Sequence, residues 1–594
     1  MNDLFVAFKA KISSWLTNSR AIPNKLELKA AYVSFPKKVQ LLLLCLAIIG
    51  TITLVSSLIL ANKNSMTQIA TSGGSMTEGM VGPLRFINPI LATYDTDRDM
   101  TNLVYSGLLR READGSLTTD LAEKYEVSTD GKRYTFTLKP DLTWHDDQPL
   151  TSDDIEFTIS KAQDPLIKSP RRANWQGVSV EKPDAQTIVF VLEQPYIGFL
   201  ENLTIGILPK HLWSDVTPDN FPFSDLNTNP IGSGPYLISK MKKDSTGIPQ
   251  YYNLEPFSNF ALGKPRISIV INIYPNETER LLAYETGAIN SMAAISPEVA
   301  NNLKLKNARV EESPLPRIFA IFFNQNQAPV LANKEVRLAL DTAINKDTLV
   351  TKVLLGHGLP LNGPTQTNQA PKDNYNENQK IEQARAILEQ AGWKKNTSTG
   401  IYEKTDPKKK TTTTLSLSLS TSDTPELKKA GEIIQNTWKK VGVDVELKVF
   451  ETGTLQQTAI RPRKYDALLF GQVVSQNQGL FAFWHSSQRL DPGLNIAQYT
   501  NLKVDKWLDN SRTTLDPDQS KIDQNKAIQE IQNDIPAIFL YAPYFIYAIP
   551  DELKNLKLNT LQTTSDRFNE IHKTFINTES IWKIFASNNN IIKQ

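Results

Sequence analysis

Residues able to do chemistry are few and scattered along this chain. Five histidines (His145, His211, His357, His485 and His572) are spread over 594 residues. None stands in His-x-x-x-His spacing, and there is no Cys-x-x-Cys pair, so no zinc site, catalytic or structural, is expected. The single cysteine, Cys45, lies inside an apolar run. No Gly-x-Ser-x-Gly elbow is present to expose a nucleophile. Gly232 and Gly234 flank Ser233, and glycines let backbone amides approach an anion. However, no Gly-Lys-Ser/Thr follows, and Pro235 ends the run where a helix would begin. A structural turn is therefore expected there. Trp144, Trp175, Trp213, Trp393 and Trp484 are more often packing residues than ligand platforms. The chain is read as a non-enzyme with no cofactor and no bound metal.

The elements that would position a site are better defined. In residues 134–160, Tyr134, Phe136 and Leu138 alternate with Thr135, Thr137 and Lys139, the period of a half-buried strand. Pro140-Asp141 supplies a turn, and Trp144 is expected to begin a second short strand. Thr151 or Ser152 can cap a helix whose first turn carries Asp153 and Asp154. Strand, turn, strand and capped helix form a structural unit.

The same segment, YTFTLKPDLTWHDDQPLTSDDIEFT, resembles the pattern YTFxLRxxxxWHDGxPxTAxDVxFT of the family 5 extracellular solute-binding proteins. These are the oligopeptide- and dipeptide-type receptors of ABC importers. Asp147 stands for the usual Gly and Ser152 for the usual Ala. Further blocks follow in the family's order: Asn88-Pro89 with Leu103 to Leu109, Leu121 to Tyr125, Leu208 to His211, Asn229 to Tyr236, Val336 to Leu340, Ala343 to Lys346, Gly356 to Pro364, and Ala391-Gly392-Trp393. The resemblance runs over roughly residues 76–560. It implies a two-lobed α/β fold of the periplasmic-binding-protein type (type II, the large cluster with an extra subdomain), closing over ligand about a hinge.

Residues 39–61 run for 23 residues without a charge. At about 1.5 Å per residue they reach across a hydrocarbon layer of roughly 30 Å. Seven basic residues precede them against two acidic ones, which by the positive-inside rule keeps the N-terminus cytoplasmic and the rest outside. An uncleaved signal anchor is favoured. A cleaved signal peptide is the alternative, although its apolar core is normally shorter and 60–63 make a poor small-x-small site. Cys45 follows Leu44 in mid-run, which does not fit a lipoprotein tether. Leu4, Phe5, Phe8, Ile12, Trp15 and Leu16 fall near one face of a possible interfacial helix, with a disordered basic tail as the equal alternative. Outside residues 1–38 the charges are 58 basic against 61 acidic, too balanced for a nucleic-acid binder.

The expected organisation is a basic segment at 1–38, the anchor at 39–61 and a polar linker at 62–75. Lobe I then takes 76–316, with an inserted subdomain at about 112–226. Lobe II takes 317–534, and 535–594 returns to lobe I. Arg317 to Asn324 reads as a buried strand crossing the hinge, and Ala537 to Ile549 as a second, returning strand pair. Thr399 to Thr421 reads as a hairpin with a solvated edge, Leu415, Leu417 and Leu419 alternating with serines.

By resemblance, peptide-binding relatives hold the ligand's α-amino group with an Asp after a Gly-Trp pair in lobe II. Here Gln472 stands in the Trp place and Ser475 in the Asp place. The amine anchor is then either moved, for instance to Glu451 or Asp95, or not needed because the ligand is not a free-amine peptide. Local misalignment also explains the departure. Tyr94 from lobe I and Gln476 and Trp484 from lobe II complete the expected contacts. The implied partners are a peptide or similar small solute, ABC permease subunits with cytoplasmic ATPases, and the membrane through 39–61, with the chain as a monomer. A non-transport sensor or peptide-binding chaperone on the same fold is the alternative. An anchored enzyme is disfavoured by the lack of a catalytic constellation, and the few histidines weigh against nickel.

Overall fold

The computed structural model describes residues 25–585 except 197, 373–375, 409, 475–478 and 560. The chain divides into two compact units, one of Met1–Thr71 with Thr578–Gln594 and one of Ser72–Asn577.

In the smaller unit, helix Lys25–Val33 precedes helix Lys37–Ser65. Within the latter, Lys37–Asn62 is 26 residues long, none of them buried, and apolar enough to cross a membrane; at 1.5 Å per residue it is about 39 Å long. The segment read as a polar linker contains strand Met66–Ala70, which pairs antiparallel with Thr578–Trp582. The residues of the possible interfacial helix, 4–16, lie outside the described ones.

The larger unit is organised around one sheet of twelve strands. At one end, strand Ser75–Val81 lies between two parallel partners, Ser268–Tyr274 and Ser291–Ala293. At the other, Ser416–Ser422 lies between parallel partners Asp444–Phe450 and Ala467–Val473. Strand Ala537–Ala548 joins the two halves. Its first residues pair with Arg317–Phe323 and its last with Val310–Pro314. The change of partner falls at Pro543, and the other strand path breaks at Leu315-Pro316. Proline lacks the amide a ladder needs, so both crossings sit where sheet pairing is weakest.

The joining strand is buried on both faces. Ile538 and Leu540 enter one core and Ala537 and Phe539 another, while Phe545 and Tyr547 enter a third and Ile546 and Ala548 a fourth. That is the period-2 alternation of a strand covered on two sides. It explains the apolar run, and it corrects the reading as a strand pair: 537–548 is one strand that changes partners.

Two other readings are revised. Trp144 does not begin a strand; Thr143 and Pro149 form only an isolated bridge, and Trp144 is fully buried. The Leu/Ser run is not an edge. The hairpin is Tyr402–Asp406 with Thr411–Thr414, whereas Ser416–Ser422 is an interior strand. Its polar side chains are satisfied locally, Ser418 Oγ by Asp466 Oδ2 at 2.8 Å and Thr421 Oγ1 by Leu469 O at 3.0 Å. Small hydroxyls with such partners are tolerated in a parallel core.

The first module otherwise forms as read, with strand Arg133–Leu138 alternating in burial and helix Ser152–Gln163 starting after Thr151. Asp147 has φ 64°, a left-handed conformation that glycine takes without strain and Asp tolerates. The inserted region carries a four-stranded antiparallel sheet in the order Ala122–Val127, Arg133–Leu138, Thr187–Leu192, Val178–Asp184. Gly232 and Gly234 form a turn against backbone: a Cβ at Gly232 would lie 2.0 Å from Val104 O, and one at Gly234 2.5 Å from Val104 C.

Candidate functional site

Parallel strands place their following loops and helix starts together at one end, and clefts in open α/β sheets form there. Both halves of the sheet turn such ends toward one cavity of about 540 Å³. After Ser268–Tyr274 comes Glu277, and after Ser291–Ala293 come Ala294 to Pro297. From the other half, Ser422, Thr424, Thr452 and Val473 stand at or just past strand ends. The floor is the joining strand and its crossings, contributing Leu315, Arg317, Phe319, Tyr541 and Pro543.

An aromatic pair gives the floor its shape. Phe319 and Tyr541 stack with centroids 5.4 Å apart and planes at 28°. Across from them Gly471 leaves room for the Phe319 ring, since a Cβ there would lie 2.7 Å from Phe319 Cε1. Burial pushes the Tyr541 phenol up and nearby Glu426 adds to the shift, so it stays neutral. His357, also lining the cavity, bridges the halves: Nδ1 is 3.1 Å from Glu312 Oε1 and Nε2 is 3.1 Å from Asn301 Oδ1.

Helix N-termini ring this space, Asn276 accepting from Glu279 N at 2.9 Å and Thr424 preceding the long helix Pro425–Val441. Their first turns carry Glu277 and Glu426, both lining residues. The wall thus combines stacked aromatics, hydroxyls, three carboxylates (Asp95, Glu277 and Glu426) and Arg317. Such a mixture can hold a polar ligand by many modest contacts. Among the described residues no cluster of three His, Cys, Asp or Glu is placed to hold a metal.

The residues singled out from sequence distribute unevenly. Asp95 lines the cavity, with Oδ1 3.2 Å from Arg98 Nη1. Tyr94, exposed, precedes it as the cap of helix Asp95–Val104. Glu451 adjoins the lining residue Thr452, but its carboxylate is occupied. It accepts from Gly453 N at 3.0 Å and from Thr454 N at 2.8 Å, and these bonds hold its pKa low.

Gln472 does not line the cavity. Its neighbours Gly471 and Val473 do, while the Gln472 side chain is buried on the other side, donating to Leu494 O at 3.3 Å. Trp484 is fully buried among Phe322, Tyr499 and Phe539, a packing residue. Ser475 and Gln476 lie outside the described residues.

Sequence reasoning passed over Phe319, Tyr541, Arg317 and His357. For the first three the signal lay in the two apolar runs, since strands that join the halves of the sheet floor the cavity over them; nothing in the local sequence marked His357.

Comparison with known proteins agrees with this architecture. Residues 116–489 match the family described as bacterial extracellular solute-binding proteins, family 5 Middle. The oligopeptide-binding protein AppA of Bacillus subtilis is 28% identical over 507 residues, covering 82% of this chain and 89% of AppA. The structure of Bacillus subtilis AppA in complex with a nonapeptide aligns with TM-score 0.63 at 26% identity, over 86% of this chain and 100% of that one. NikZ of Campylobacter jejuni in complex with Ni(L-His) aligns with TM-score 0.65 at 26% identity, over 84% of this chain and 99% of that one. The chain belongs to the bacterial extracellular solute-binding proteins of family 5.

Proposed function

We propose that this chain is the membrane-tethered, extracytoplasmic receptor of an ABC importer, capturing peptides between two lobes for delivery to a permease. The observation that carries the reading is the 540 Å³ cavity built from strand carboxyl ends of both sheet halves over the shared strand Ala537–Ala548. In this reading lobe I is 76–316 with its insertion at about 112–226 and the return after 535, and lobe II is 317–534. Closure about the two proline-marked crossings excludes water and creates the state a permease recognises. An extended peptide offers backbone groups that roomy, wet pockets can hold whatever the side chains. Helix Lys37–Asn62, long and apolar enough to span, is the tether, with its basic lead in the cytoplasm. The chain works as a monomer beside its permease and ATPases.

Of the two alternative places for an amine anchor, Asp95 is the stronger. It lines the cavity, whereas Glu451 is committed to its own helix start.

Native mass spectrometry of the full chain, released from detergent micelles without refolding, tests the function. A ladder of co-purified peptide masses is expected. A single non-peptide mass would replace peptide by that solute. An empty protein with no thermal shift in a mixed peptide pool would overturn the reading and favour a sensor.

A further inference from the structure

A second cavity, of about 270 Å³, is walled by helix Asp95–Val104, strand Leu109–Arg111 and the turn Thr564–Phe568. It is separate from the first: Asp95 and Thr564 face the larger space, while Arg98, Thr563 and Ser565 face this one. Four arginines line it, Arg98, Arg110, Arg111 and Arg171.

The carboxylates that share the lining face cations or backbone amides. Glu201 is paired with Arg111. Asp566 accepts from Gln562 N at 2.7 Å, Thr563 N at 3.1 Å and Thr563 Oγ1 at 2.9 Å. Burial pushes Asp120 up to about 6 in spite of Arg110 and Lys139.

The cationic side is under-satisfied. Arg110 is 8% exposed, and its Nε and Nη2 have no hydrogen-bond partner among the described residues; Nη1 reaches His572 Nδ1 at 3.4 Å, and Nε stands 3.9 Å from Glu112 Oε1, an ion pair too long for a hydrogen bond. Arg171 carries no ion pair among the described residues, and burial together with neighbouring Arg98 lowers its pKa. The buried Tyr105 OH and Ser565 Oγ also lack partners and face the same space. Buried donors left unmet are rare, and buried guanidiniums more so. Arg98 pairs with Asp95, Arg110 with Glu112 and Arg111 with Glu201, so Arg171 is the lining guanidinium left without a carboxylate among the described residues.

We propose that this cavity is an oxyanion site for a small anionic solute. Arg110 and Arg171 bond its oxygens, Tyr105 and Ser565 donate from the wall, and Arg98 stands by Arg171. The planar guanidinium fork matches carboxylate and phosphate alike. The site does not depend on what the interlobe cavity binds.

Isothermal titration of the full detergent-solubilised chain with inorganic phosphate and, separately, with succinate tests the proposal. One saturable site per chain is expected for at least one probe. Succinate alone would mark a carboxylate site and phosphate alone a tetrahedral one. In Arg171→Gln and in Arg98→Gln, partly exposed positions whose replacement keeps the fold, affinity is expected to fall at least tenfold at an unchanged melting temperature. Arg171→Lys should recover part of it. No saturable binding of either probe, or binding undiminished in both glutamine variants, would overturn the proposal.

Discussion

Arg567 and Asp99 meet through two parallel hydrogen bonds in the core, Nη1 to Oδ1 at 2.8 Å and Nη2 to Oδ2 at 2.7 Å. Glu78 completes the cluster, accepting from Arg567 Nη2 at 3.0 Å and from the Tyr547 hydroxyl at 2.8 Å. Residues from strand Ser75–Val81, helix Asp95–Val104, the joining strand and the turn after it are thereby tied together. The guanidinium is the cation that offsets these two buried carboxylates.

Arg567→Met should therefore destabilise the chain by about 3–5 kcal/mol, the range for breaking a buried ion pair from one side. The measure is the urea midpoint. Adding Glu78→Gln and Asp99→Asn to the same variant should recover part of the loss, because neutral amides no longer need the cation.

A second prediction concerns pH. Burial, then Arg110 and Lys573, lower His572 to about 3, against about 6.5 for a free histidine. Between those values the unfolded chain binds a proton that the folded chain refuses. This contribution is complete above pH 6.5 and is lost as pH falls toward 3. Asp120, pushed up to about 6, acts in the opposite sense below pH 6, so the wild-type profile mixes the two. His572→Asn removes only the first. Its stability should fall less steeply with acid than wild type by about 1.4 kcal/mol per pH unit, one proton's worth, in urea melts between pH 6.5 and 4.5.

How far the sequence reveals this molecule depends on the range of the interaction. The alternation of Tyr134, Phe136 and Leu138 and the cap at Thr151 are local, and they form as read. The apolar runs at 317–324 and 537–549 form the strands that join the two halves of the sheet, because burial on two faces leaves no polar period. Alternation misleads at Ser416–Ser422. There serine hydroxyls find partners in Asp466 and Leu469 O, so a run that reads as an edge lies inside the sheet. The site is less legible. Gln472 and Gly471 are adjacent in sequence, yet strand pleating sends one side chain into the core and opens the cavity over the other. Matching a family motif position by position fixes neither register nor face. The arginines of the second cavity come from three separate segments, and only the fold brings them together.

Gly471 gives a third prediction. A leucine there meets the Phe319 ring, already 2.7 Å from where a Cβ would be, and turns it off Tyr541 into the cavity. Overpacking of this kind costs about 1–3 kcal/mol. The larger effect should be on binding: Gly471→Leu should weaken peptide binding at least tenfold by titration calorimetry, whereas Phe319→Leu added to it should restore room and part of the affinity.

The tether can be tested with the chain's one cysteine. Cys45 is exposed on helix Lys37–Ser65, eight residues past Lys37, about 12 Å along the axis at 1.5 Å per residue. In a spanning helix that depth is hydrocarbon. In intact cells Cys45 should resist a membrane-impermeant maleimide applied from either side, and it should react once the membrane is dissolved. Labelling before solubilisation would place the helix outside the bilayer.

One charged contact runs between the half after the first crossing and the inserted region. The Arg512 guanidinium lies 3.9 Å from the Phe481 ring centre and 5.9 Å from that of Tyr196. Phe481 and Arg512 belong to the half that follows the first crossing, and Tyr196 to the inserted region before it. Nearby, Leu515 packs over Gly131 of the same insertion, leaving no room for a Cβ there. Cation–π contacts of this exposure are worth about 0.5–2 kcal/mol; the Phe481 contact lies within one half, and only the Tyr196 contact depends on the two halves being together. Arg512→Ala removes it without touching the cavity wall. The closed population should shrink by the same free energy, and peptide should dissociate about 2- to 30-fold faster in stopped-flow displacement while the association rate barely changes. Tyr196→Leu should give a smaller effect in the same direction, and the double variant should add little to Arg512→Ala, since both changes break one contact.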